Sequence, residues 1–397
     1  MKNVFYFGLE PLKARYTYQL SKEWMPNAFE FRNVNFIDIE GDLYQASEQI
    51  KVGSVLDAVG RGVYTMSQCT SFLINWLETG KVKDGDAIFL QDYWHPGIES
   101  ILYALDLYGI KVDIYAMLHA QSVDEYDFTY PMRSWMRGFE LGLDKRMTGI
   151  FVGSTIHKEQ LRQAGFEAPI HVVSLPLDKQ AVLDKLPVDR FLPFVKENRV
   201  VYSSRLDKEK NPYFMLETAK LFLNAFPDWE WIVTTSGLNF KSMLPDVIND
   251  LYDYAAQEPR FRMLSNLTKE EYYMALATSK IQFNSSLQDY VSWTVLESMT
   301  MGCKPVFPNF RSFTELIDSK FTYEPFNVNK AFDVLMLATE PQNYYLGRDL
   351  PTISDLGRRM EAYIVEHGID HEINVWHEYE YCKQLLQKDF EKKAIKI

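Results

Sequence analysis

Residues 286–309 read SLQDYVSWTVLESMTMGCKPVFPN. The stretch opens where an apolar run, 281–284, ends. It crosses a polar loop, enters a helical pattern at 294–301, breaks at Gly302 and rejoins an apolar run at 304–307. Strand, loop, helix, glycine turn and strand make one unit of a parallel α/β sheet. Two carboxylates stand in it: Asp289 in the loop and Glu297 one turn into the helix, with seven residues between them. Placed this way, they can hold hydroxyls of two different groups on one extended ligand. The helix N-terminus adds N–H donors and the positive end of a dipole. Thr294-x-x-Glu297 also fits a capping box, a purely local use of the same glutamate.

Upstream, 200–212 read VVYSSRLDKEKNP. A buried strand ends at Ser204, Arg205 and Lys210 follow in the loop, and a helix opens near Pro212. A planar Arg fork with a mobile Lys charge suits a diphosphate. A solvated loop with ordinary surface charge is the alternative. Both motifs follow strand ends in one half of the chain.

The same alternation runs outward in both directions. Apolar runs at 4–8, 34–39, 87–91, 112–118, 149–153 and 170–174 are separated by helical patterns such as 97–108 and 132–143. Strands buried on both faces read as continuous apolar runs. Residues 177–198 are rich in proline and charge, and the alternation then restarts with strands at 199–204, 231–235, 260–264, 281–284 and 304–307. Thr268-x-x-Glu271 reads as the capping box of a helix over 268–278. The expectation is an α/β protein of two doubly wound, Rossmann-like domains with ligands at the carboxyl ends of the strands, in a cleft between the domains. The boundaries are 1–180, a linker at 181–198, a second domain at 199–365 and a C-terminal helix at 366–397 that packs back on the first domain.

With these motifs in order, the second half resembles the retaining GT-B glycosyltransferases, in particular family four (glycosyltransferase group 1). That family's G-R-L-x-x-x-K segment is matched by Ser204-Arg205-Leu206 and Lys210. Its F-x-G-x-L-x-x-E-E-L segment is matched by FRMLSNLTKEE at 261–271, and its A-D-x-F-x-x-P-S segment by SKIQFNS at 279–285. Its E-x7-E-A-M-A-x-G-x-P-V is matched by Asp289, Glu297 and SMTMGCKPV, with one extra residue before Pro305. The resemblance implies that Arg205 and Lys210 neutralise the donor diphosphate and that Glu297 binds the ribose. It implies further that Asp289 with the backbone of Tyr290, Val291 and Ser292 holds the transferred sugar, and that Leu264 meets the nucleobase. Asp289 stands where the family has Glu, and Tyr290-Val291-Ser292 where it has Gly-Phe-Gly, so the identity of the sugar is open.

In the first half the resemblance puts Gly8 in the family's glycine loop after the first strand, where a plain turn is the alternative. It puts His119, after the strand run YAML, at the cleft beside the transferred sugar. Asp92 and His95, in DYWHPG, would face the acceptor or stabilise a turn. Asp84-Gly-Asp86 looks like a metal-binding pair, but a tight turn before a strand explains it better; no metal site is expected. Residues 124–128, DEYDF, read as a solvated loop. The resemblance implies retention of configuration and no cofactor beyond a nucleoside-diphosphate sugar, a UDP-sugar foremost.

The chain of 397 residues carries a net charge of −12. Residues 1–180 and 181–397 each carry −6, so neither half is a basic nucleic-acid module. Three scattered cysteines read as small core residues of a reducing compartment. The first apolar run breaks at Gly8 and Glu10 and reads as a strand rather than a signal peptide. A soluble, cytoplasmic protein without membrane insertion is expected. The helical pattern at 132–146 sets Arg133 and Arg137 beside Trp135 and Phe139, which suits phosphates and an extruded base. Residues 52–146 resemble glycosyltransferases of tailed phages, some of which glycosylate hydroxymethylated pyrimidines in DNA. Duplex DNA is therefore the leading specific acceptor, in a host cytoplasm if the chain is phage-encoded. Glycans, lipids and small molecules are the other acceptors. A non-catalytic sugar-nucleotide binder and a sugar-nucleotide epimerase are the rival functions.

Overall fold

The structure is a computed structural model and describes residues 2–12, 16–30, 34–44, 58–119, 122–127, 129–175, 177–186, 195–244, 246–290 and 292–340. The chain divides into two compact units, with the change at Leu177/Asp178. The first holds strands β1 (Lys2–Phe7), β2 (Val34–Asp38), β3 (Ala87–Leu90), β4 (Asp113–Leu118), β5 (Gly149–Val152) and β6 (Ile170–Val172). They form one parallel sheet in the order β2-β1-β3-β4-β5-β6. The second holds β7 (Glu197–Tyr202), β8 (Glu230–Thr234), β9 (Phe261–Leu264), β10 (Ser279–Phe283), β11 (Lys304–Pro308) and β12 (Thr322–Tyr323). They are also parallel, in the order β12-β11-β10-β7-β8-β9.

Strands β1 to β11 form close to where the apolar runs predict them, because helices cover both faces of each sheet. β3 and β5 are buried at every residue. Phe5, Ile88, Ile114 and Ile150 belong to one core, and Val200, Trp231, Phe283 and Val306 to the other. Part of the expected linker is regular structure, a helix Lys179–Leu183 and the start of β7. The predicted helix at 366–397 lies outside the described residues.

Each sheet changes winding direction once. In the first, β1 lies between β2 and β3, so the turn comes at β1/β3. In the second, β7 and β10 are neighbours, with Ile281 opposite Val200 and Gln282 opposite Val201, and the strands fan outward from that pair. Helices leave such a neighbouring pair toward opposite faces, and a crevice opens at the carboxyl ends. The loops after β7 and β10 carry Arg205, Lys210 and Asp289, and Glu297 lies one turn into the following helix.

Candidate active site

In the second unit the loops after β7 and β10 are bonded to each other. The Lys210 side chain is 7% exposed, and its ammonium lies 3.0 Å from Ser286 Oγ, 2.9 Å from the Gln288 carbonyl and 2.9 Å from Asp289 Oδ2. Three acceptors match the three donors of an ammonium. Ser285 Oγ donates to the Lys210 carbonyl, and the Leu287 N–H donates to the Glu209 carbonyl. The predicted phosphate cation and the predicted sugar ligand therefore form one ion pair, with Lys210 buried and Asp289 26% exposed. Arg205 is more open, 43% exposed, and pairs with Glu209 at 2.6 Å and Asp207 at 3.3 Å. Asp207 also accepts from the Met243 N–H, which ties this loop to the segment after β8.

Glu297 lies in the helix Trp293–Thr300 and is 4% exposed. Its Oε2 accepts from the Tyr272 phenol at 2.8 Å, and its Oε1 accepts from Tyr273 at 3.2 Å. The Lys269 ammonium lies 3.6 Å from Oε1. Thr294 Oγ1 is bonded instead to Ser292 Oγ at 2.7 Å, so Glu297 is not spent in a capping box with Thr294. Burial and the Glu297 charge push the Tyr272 phenol well up, which keeps it a donor. Both tyrosines lie on the helix Lys269–Thr278, whose predicted capping box is present: Thr268 accepts from the Glu271 N–H and Glu271 accepts from the Thr268 N–H. The tyrosines carry no motif signature, and only the packing of the two helices reveals them.

Ser292 stands at the N-cap position of the helix Trp293–Thr300 without a side-chain capping bond and is buried, as is Tyr290, whose ring lies 5.6 Å below the Arg311 guanidinium. Val291 lies outside the described residues. Leu264 closes β9, half-buried, and its carbonyl accepts from the Thr235 N–H.

In the first unit, the loops after β1 and β3 meet at Arg61, on the helix Ala58–Phe72. The Arg61 side chain is 4% exposed and spans Glu10 at 3.2 Å and Asp92 at 2.5 Å, with a further bond to the Trp94 carbonyl. Sequence reasoning missed this triad because its members are far apart in the chain. Asp92, also bonded to the Trp94 N–H, is 15% exposed. The His95 ring is enclosed, 2% exposed and edge-on to Phe7, and burial with the Arg61 charge pushes it down to about 3. His119 stays half-buried at the end of β4, with Nε2 at 2.9 Å from the Gln91 carbonyl. A carbonyl partner assigns the proton to Nε2 and leaves Nδ1 an acceptor. Burial lowers its pKa, so the ring is neutral at pH 7.

Gly8 answers to packing: a Cβ there would come within 3.0 Å of the Tyr6 ring and 3.2 Å of Ser21 Cβ. Its carbonyl accepts from Gln68. Arg133 is exposed and lies over the Tyr130 ring at 4.2 Å. Arg137 differs: its guanidinium donates to Ser122 Oγ, the Ser122 carbonyl and the Ala164 carbonyl, so it braces the fold. Asp84 and Asp86 serve the predicted turn, accepting from Lys111 N–H and from Asn3 and Lys83 N–H, with Gly85 at φ +84°. The solvated loop expected at 124–128 is overturned at two residues. Asp124 is 0% and Asp127 8% exposed, because each folds onto a backbone N–H two residues on, Tyr126 and Thr129. Phe128 lies outside the described residues. Among the described residues no group of three or more His, Cys, Asp or Glu is placed to hold a metal ion. Among them, too, no helix is long and apolar enough to cross a membrane.

Two all-parallel six-stranded sheets, each flanked by helices, define the GT-B class of fold. No protein-family model matches the chain, and no curated protein matches it by sequence. Solved structures match its fold. Sucrose-phosphate synthase from Thermosynechococcus elongatus is 12% identical with a TM-score of 0.58, over 98% of this chain and 100% of that one. HepE from Anabaena, solved in complex with UDP, is 12% identical with a TM-score of 0.58, over 99% and 100%. A TarM variant from S. aureus, solved with fondaparinux, α-GlcNAc-glycerol and UDP, is 14% identical with a TM-score of 0.50, over 80% of this chain. This chain spans 59% of TarM's length. At these identities the likeness is one of fold.

Proposed function

We propose that the chain is a glycosyltransferase that takes a sugar from a UDP-sugar and passes it to an acceptor hydroxyl. One observation carries the reading. Arg205, Lys210, Asp289 and Glu297 converge at the β7/β10 crevice of a GT-B fold, where a doubly wound sheet binds its ligand. UDP in the HepE and TarM structures supports the choice of nucleotide. Residues 199–365 form the donor domain and 1–180 the acceptor domain. Arg205 meets the diphosphate, Lys210 adds its charge beside it and Glu297 takes the ribose. Asp289, with the backbone of 290–292, holds the transferred sugar, and Leu264 meets the base.

The family-four order of motifs supports retention, with the leaving diphosphate drawing the acceptor proton. Catalysis is then orientation and charge stabilisation. The charge that grows on the β-phosphate goes to Arg205 and Lys210, and no metal ion or other cofactor is given a role. His119 stands beside the transferred sugar as a catalytic group, and Asp92 lies on the acceptor side. The reducing-compartment reading of the cysteines supports a cytoplasmic enzyme.

The acceptor to test first is a hydroxymethylated pyrimidine in duplex DNA. Exposed Arg133 and Trp135 support it, and the net charge of −12 opposes it. The test is UDP release from a panel of UDP-sugars, with and without that DNA. DNA-stimulated release with a matching mass gain on the base supports the DNA reading. Release indifferent to DNA moves the acceptor to glycans, lipids or small molecules. A new sugar nucleotide without transfer would indicate an epimerase, and binding without turnover a sugar-nucleotide binder.

A further inference from the structure

We propose that Tyr272 and Tyr273 set the ribose specificity of the donor site by fixing the Glu297 carboxylate, an inference that rests on Glu297 being the ribose contact. An ionised carboxylate has two lone-pair positions on each oxygen. One phenol occupies a position on each: Tyr272 on Oε2 at 2.8 Å and Tyr273 on Oε1 at 3.2 Å. One position per oxygen is left, with the Lys269 ammonium 3.6 Å from Oε1, and in this proposal two neighbouring ribose hydroxyls donate to that pair. The two donors stop the carboxylate from turning about its terminal bond, so the remaining lone pairs have a fixed direction.

The clamp is itself anchored. Tyr273 is 0% exposed and packs in the core. Tyr272 is half-buried and lies at the end of a directional chain. Gln282 Nε2 donates to Ser203 Oγ at 2.8 Å, and Ser203 Oγ lies 3.3 Å from the Tyr272 phenol. Because Tyr272 donates to Glu297, its oxygen accepts the Ser203 hydroxyl proton. The order is Gln282 to Ser203 to Tyr272 to Glu297, from β10 through the end of β7 to the ligand end of the sheet. The Lys269 ammonium lies 5.4 Å and 5.5 Å from the two ring centroids, which holds both phenols from outside. Tyr272 and Tyr273 are positioning residues, and the ligand they read through Glu297 is a ribose with both hydroxyls, as against a 2′-deoxyribose.

The experiment compares calorimetric Kd values of the full chain for UDP and 2′-deoxy-UDP. A ratio of two Kd values does not depend on the fraction of folded protein. Losing one hydrogen bond to a charged group changes affinity about tenfold or more, so the wild type should prefer UDP by that factor. Tyr272→Phe and Tyr273→Phe should each weaken UDP binding and cut the preference about threefold or more, with KM for the donor rising and kcat little changed. Glu297→Gln should abolish the preference. If Glu297→Gln abolishes it while both tyrosine variants keep the wild-type ratio, the clamp is wrong and the ribose reading stands. If Glu297→Gln keeps the wild-type ratio, or the wild type shows no preference, the ribose reading fails and takes the clamp with it.

Discussion

Arg205 and Lys210 look alike in the sequence, two cations in one loop, and the fold treats them differently. Arg205 is 43% exposed, so water reaches its side of the pairs with Glu209 and the buried Asp207 and screens them, and such pairs contribute about 0–1 kcal/mol. Arg205→Ala should therefore leave the unfolding midpoint nearly unchanged. It should lower kcat/KM about 30- to 1000-fold, the range for removing one transition-state charge contact. Activity within a few-fold of wild type would remove Arg205 from the mechanism. His95 supports a prediction of another kind. Its folded pKa is about 3 against 6.5 for the free side chain. Below 6.5 the unfolded chain takes up a proton that the folded ring refuses, so His95 costs stability as pH falls through that window. Asp127 works the other way, since burial raises it to about 6 and protonation then favours the folded state. Unfolding free energies compared between wild type and His95→Gln isolate the histidine. From pH 6 to 4 the wild type should lose ground to the variant by up to about 1.4 kcal/mol per pH unit. A difference that stays flat with pH would show that the buried ring takes a proton freely.

Between elements, the loops after β7 and β10 are braced by the partly buried Lys210–Asp289 pair and by the bonds of Ser285 and Leu287 across the same gap. Removing a hydrogen bond to a charged group costs about 1.5–3 kcal/mol, and water reaches Asp289 only in part. Lys210→Met should lose stability on that scale as well as activity, in contrast to Arg205→Ala. Urea midpoints of the two variants, measured side by side, check this, and equal midpoints would contradict it. This scale also shows what the sequence could reveal. Parallel strands buried on both faces spell themselves out as apolar runs, so eleven of the twelve strands among the described residues lie close to their expected positions. The exception, β12, is two residues long and carries no periodicity. The Thr268 capping box was legible because its two bonds lie within one helical turn. The burial of Asp124 and Asp127 was not, because acidic letters mark a loop without saying whether its carboxylates turn inward onto backbone N–H groups. The Arg61 triad and the tyrosine clamp join residues that are distant in sequence, and only tertiary packing brings them together.

For the molecule as a whole, two sheets with one reversal of winding each place four of the predicted donor residues at a single crevice in the second unit. The motif order had already grouped those four, because strand-end loops in a doubly wound sheet follow one another in the chain and meet at the switch point. The acceptor side was less legible. Its candidates depend on which side chains stay open, and folding closed His95 and committed Arg137 to Ser122 and Ala164. An acidic molecule of net charge −12 must bind an anionic nucleotide through local cations against its own field. Donor binding should therefore tighten as salt rises from low ionic strength, until the ion contacts themselves are screened. Calorimetric titration of the full chain with UDP, repeated on Arg205→Ala and Glu297→Ala, decides whether these residues hold the donor. One site per chain is expected in the wild type, with affinity lowered about tenfold or more in each variant. No binding by the wild type, or equal affinity in all three proteins, would contradict it.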